Sequence, residues 1–96
     1  MDAAGILELL GLEEHQINNA YEMCYEALET IQLHKHLDDA IAEYVEDHVH
    51  EMVWEDATQC FIEFIFEATS QIVKDHKPEY DVTMQLSRND NYIIIH

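Results

Sequence analysis

Seven histidines, two cysteines and 21 carboxylates are the residues of this chain whose chemistry could be put to work, against only four basic side chains. The histidines gather as His34-Lys35-His36 and as Asp47-His48-Val49-His50-Glu51, which raises the question of a metal. On a helix, positions i and i+2 point about 200° apart, so His48 and His50 cannot share an ion while the helix stays regular. Glu43, Asp47 and His50 do fall on one face. A bundle-type di-metal centre, however, needs two Glu-x-x-His pairs, and Asp47/His50 is a single variant of one. No metal and no cofactor is expected. His48 reads as a core histidine. Cys24 and Cys60 fall on apolar helical stripes with no basic neighbour to activate them, so they read as small buried hydrophobes, unpaired. With no Gly-rich loop and no nucleophile elbow either, the sequence points away from an enzyme.

The carboxylates form the pattern that remains. The segment HLDDAIAEYVEDHVHEMVWEDA, His36 to Ala57, holds eight of them and no lysine or arginine. Like charges three or four residues apart on a helix repel by about a few tenths of a kcal/mol per pair, so some other demand must outweigh that cost. Glu22, Glu26 and Glu29 form one row at helical spacing, and Asp39, Glu43 and Glu46 form another. Asp38, Asp47, Glu51, Glu55 and Asp56 flank the second, and Glu63 and Glu67 add a pair further on. Residues four apart on a helix are separated by about 6 Å along its axis, of the same order as adjacent phosphates on a nucleic-acid strand. Two plainer readings stand beside that one. A solvated acidic face keeps a small protein soluble, and acidic surfaces also accompany life at high salt, though chains of that kind hold back on large apolar residues.

The elements that must carry these charges follow from periodicity. AAGILELLGL reads as a short apolar helix closed by Gly11. A helix from about Glu13 to Leu33 has the stripe Ile17, Ala20, Tyr21, Cys24, Leu28 and Ile31. A second, from about Leu37 to Val53, buries Leu37, Ile41, Tyr44, Val45, His48 and Met52. The third, about Glu55 to Asp75, carries Ala57, Phe61, Phe64, Ile65, Ala68 and Ile72 plus a further ridge of Ile62, Phe66 and Val73. An element apolar over most of its circumference must bury more than one side. The expectation is a homodimer that uses Ile62, Phe66 and Val73. After Pro78, Val82, Met84 and Leu86 alternate with Asp81, Thr83 and Gln85, SRND turns the chain, and NYIIIH returns it as a β-hairpin. Two strands alone are marginal, so the hairpin must pack on the helices or pair with a second copy.

These elements amount to a mainly α fold: one acidic domain over residues 1–96, with three to four helices and a C-terminal β-hairpin over about residues 80–96. With 96 residues and 48% hydrophobic content, the chain can close a single core despite a formal charge of -17. Such a field repels nucleic acid and anionic membranes and attracts basic surfaces. The N-terminal stretch has no basic leader and is too short to span a bilayer, which gives a cytoplasmic expectation.

LDDAIAEYVEDHV resembles the central helix of the Ocr-type antirestriction proteins of tailed phages, on Leu37, Asp39, Ala40, Ile41, Glu46 and Val49. AYEM, Ala20 to Met23, sits at a similar distance upstream, and MVWED resembles the segment that follows. The resemblance covers a third to a half of the chain. Two departures are visible: His50 stands where that family has proline, and a hairpin replaces its acidic tail. What the resemblance implies is a homodimeric helical mimic of duplex DNA, made by a phage in the cytoplasm of its bacterial host. It would occupy the cationic nucleic-acid groove of a restriction enzyme or a CRISPR effector without itself binding nucleic acid. The alternative is an acidic module, such as an antitoxin or an inhibitor of a basic protein, that does not imitate DNA.

Overall fold

The chain is seen in a computed structural model that describes residues 13–51, 57–86 and 90–96. Its elements run α1 (Glu14–Glu29), a 3-10 turn (His34–His36), α2 (Leu37–His48), a second 3-10 turn (Val49–Glu51), α3 (Ala57–His76), β1 (Val82–Gln85) and β2 (Tyr92–Ile95). The protein is therefore mainly helical with a C-terminal hairpin, as its periodicity requires. The short apolar helix expected before Gly11 lies outside the described residues, as do Met52, Val53 and most of the SRND turn.

α1 buries Ile17, Ala20, Cys24 and Leu28, and it ends four residues before periodicity alone would stop it. Leu33 N–H donates to the Leu28 carbonyl at 2.9 Å and Gln32 N–H to the Glu29 carbonyl at 3.1 Å. Those two bonds make a Schellman closure, which requires a left-handed residue between them. Gln32 takes that role at φ 61°. Glycine is the usual occupant, and its absence is why the sequence reads as uninterrupted helix. Ile31 and Leu33 still reach the core, folded back by the turn.

α2 buries Leu37, Ile41 and Val45. Asp38 and Asp39 in its first turn suit the positive end of the helix dipole. Its regular part stops at His48, earlier than expected, and tightens into the 3-10 turn. His48 is half-buried; its Nδ1 donates to the Tyr44 carbonyl at 2.9 Å and its ring stacks on Tyr44 at 4.1 Å.

α3 is the axis of the fold. It packs against α1, α2 and β1, while β2 packs on α1. Side-chain pairings give the directions. Glu13 N–H donates to Thr58 Oγ1 at 3.2 Å, and Lys77 Nζ donates to the Ile31 carbonyl at 2.8 Å, so α1 runs parallel to α3. His36 stacks on His76 at 4.3 Å and Tyr44 meets Phe64 at 5.3 Å, so α2 runs antiparallel to it. With neighbours on several sides, α3 hides both of its apolar ridges. Ile62, Phe66 and Val73 are only 2%, 0% and 1% exposed within the single chain. The expected dimer interface at these three residues is therefore corrected: the second ridge belongs to the chain's own core, because a single chain already provides the cover that a second copy was invoked to supply.

The hairpin is antiparallel, with Val82 opposite Ile95, Thr83 opposite Ile94, Met84 opposite Ile93 and Gln85 opposite Tyr92. Val82, Met84 and Leu86 pack on the core, as their alternation predicts, and Ile93 and Ile95 join them from β2, where the unbroken Tyr-Ile-Ile-Ile run carries no such signal. Tyr92 at 39% and Ile94 at 52% remain exposed on the outer one.

Candidate acidic interaction surface

Each helix that turns an apolar stripe inward turns carboxylates outward. On α1, Glu22, Glu26 and Glu29 are all exposed. On α2, Asp38, Asp39, Glu43, Glu46 and Asp47 are exposed, and on α3 so are Glu63 and Glu67. Nothing is described of the Glu51 side chain, and Glu55 and Asp56 fall outside the described residues. The expected rows exist as surface features on three helices.

The structure also sorts them. Asp38 is not free: Tyr21, reaching across from α1, donates its hydroxyl hydrogen to Asp38 Oδ1. Burial of the ring, followed by that bond and the charge of Asp38, pushes the Tyr21 hydroxyl up to about 12. On α2, successive residues turn by about 100°, so Asp39 and Glu46 share one direction while Glu43 and Asp47 are swung toward α3. On α3, Glu63, Glu67, Gln71 and Asp75 are exposed at steps of four residues. They make a line that sequence reading did not extend past Glu67.

Where the α2 and α3 faces meet they bound a groove of about 370 Å³. Glu43 and Asp47 stand on its α2 wall, Gln71 and Asp75 on its α3 wall, and Ala40 and Ile72 are among the apolar residues beneath. Gln71 Nε2 donates to Asp75 Oδ1 at 2.8 Å, which orients that carboxylate. Asp75 and Gln71 were missed because only the antiparallel docking of α2 places them opposite Glu43 and Asp47. No spacing within one helix signals it.

No family model, characterised protein or solved structure matches the chain. The surface must be understood from its own chemistry. The described cations are few. Lys77 is used on the Ile31 carbonyl, Lys35 lies in the first 3-10 turn and Lys74 in the last turn of α3. Arg88 is outside the described residues. The stack of His36 on His76 and the Lys77 contact bring the described lysines to one end of the molecule.

Other chemistry is thin. Among the described residues no group of three or more His, Cys, Asp or Glu side chains is placed to hold a metal ion. Both cysteines are free thiols. Cys24 is fully buried. Burial raises its thiol to about 11, with the Thr69 side chain pulling weakly the other way. Among the described residues no helix is long and apolar enough to cross a membrane.

Proposed function

We propose that this protein is an acidic decoy, made by a phage in the cytoplasm of its bacterial host, whose helical carboxylates take the place of phosphates in the cationic groove of a host defence complex. Restriction enzymes and CRISPR effectors are the target class. The observation that carries the reading is the exposure of Glu22, Glu26, Glu29, Asp39, Glu43, Glu46, Asp47, Glu63 and Glu67 on three helices of a chain with net charge -17. The resemblance of Leu37 to Val49 to the Ocr-type helix supports it. Lysine and arginine side chains that normally contact phosphate would meet these carboxylates, and the self-repulsion of the free protein would be relieved on binding. No catalysis is required.

The test begins with capture of the target from a bacterial lysate and proceeds to competition with labelled nucleic acid over a salt series. Mutually exclusive binding that weakens steeply with salt is the expected result. A target that holds this protein and its nucleic acid together would defeat the proposal. One observation favours a second reading, an antitoxin-like or inhibitory module without DNA mimicry: the outer hairpin face exposes Tyr92 and Ile94 opposite Gln85 and Thr83, an uncharged patch on an acidic molecule. Under that reading Ile94→Asp, and not removal of carboxylates, would abolish binding.

A further inference from the structure

The groove between α2 and α3 differs from the carboxylate rows in being concave and floored. Ala40 is small enough to leave space beneath the rim, and Ile72 is an apolar surface at the bottom. Tyr44 lines the same groove, its ring held against His48 at 4.1 Å and Phe64 at 5.3 Å. Glu43 and Asp47 face Asp75 across the opening. His36 and His76, stacked at 4.3 Å, also line it and join the start of α2 to the end of α3. That contact closes the groove at one end, and from there its lining follows about three turns of α2, from His36 to Asp47.

We infer that this groove is a slot for a single arginine side chain of the protein partner. Arginine matches it in each part. Its methylene stem covers apolar surface while its head stays with polar groups, and its fork of donors can engage carboxylates on both walls. Lysine offers a point charge and no plane. The inference deepens the decoy reading by naming how one contact is made, and it rests on that reading only for the partner being a basic protein.

The experiment needs no target. Amide and methyl NMR spectra of the whole chain are followed at low salt during addition of N-acetyl-arginine amide, with N-acetyl-lysine amide in parallel. Saturating shifts focused on Ala40, Tyr44, Gln71 and Ile72, with an affinity in about the millimolar range, are expected for a lone side chain. Ala40→Leu fills the slot without removing a charge and should erase the focused response. Because that change could disturb packing, the triple variant Glu43→Gln, Asp47→Asn, Asp75→Asn is measured as well. It should bind about tenfold more weakly while leaving the methyl spectrum of the core unchanged. Shifts spread equally over the Glu22 to Glu29 row, equal responses to arginine and lysine, or a wild-type response in the triple variant would each overturn the slot. The outcome is separable from the decoy reading, since diffuse shifts would leave competition with nucleic acid as expected, and failed competition would leave the focused shifts in place.

Discussion

Single residues in this chain hold the clearest physical statements. Gln32 adopts a left-handed backbone at φ 61°, a conformation that disfavours any side chain with a Cβ. Gln32→Gly should raise stability by about 0.5–1 kcal/mol, read as a higher urea midpoint with an unchanged slope. Tyr21 and Cys24 give a pH dependence whose sign is fixed. Folding raises the hydroxyl from 10.0 to about 12 and the thiol from 9.0 to about 11, so the folded state holds the proton that the unfolded chain releases first. Their contribution is complete below the unfolded values and is lost as pH rises through the folded ones. Urea midpoints should therefore fall between pH 9 and pH 12, and Tyr21→Phe should flatten the part above pH 10. Buried Cys24 should also be alkylated by iodoacetamide far more slowly than half-buried Cys60.

At the level of elements, three helices and a hairpin were legible because their apolar positions repeat at 3.6 and 2 residues, and because Pro78 separates the two styles. The inward residues of β1 were legible for the same reason, whereas those of β2 were not, since Tyr-Ile-Ile-Ile has no polar alternation. What periodicity could not show was who covers whom. Ile62, Phe66 and Val73 read as a ridge awaiting a partner, since a helical wheel counts apolar faces and carries no information about how many neighbours the same chain supplies. The groove was illegible on the same ground, for it exists only once Asp75 and Asp47 are brought opposite each other. A test belongs here. Phe66 is fully buried, so Phe66→Ala should cost about 3–5 kcal/mol in urea denaturation, and Phe66→Glu should unfold the chain instead of giving a folded monomer. The rows make a graded expectation. Neutralising Asp39, Glu43 and Glu46 together should sharply weaken displacement of nucleic acid from the target, whereas each alone should cost about 1 kcal/mol or less, because single exposed ion pairs contribute little.

For the molecule as a whole, a net charge of -17 on 96 residues sets salt against itself. The free protein is held back by repulsion among its own carboxylates, which salt screens over a Debye length of about 8 Å at physiological strength. Its melting temperature should therefore rise between low and moderate salt while its affinity for a basic target falls. A melting series and a binding series in the same buffers would show the two trends crossing. The gathering of Lys35, Lys74 and Lys77 at one end adds a directional consequence. A charge distribution with its described lysines toward one pole has a front and a back, so an approaching positive surface exerts a torque on it as well as a pull. Encounters would be turned toward productive orientation before contact, and moving the lysines to the opposite pole at constant net charge would slow capture without hastening release.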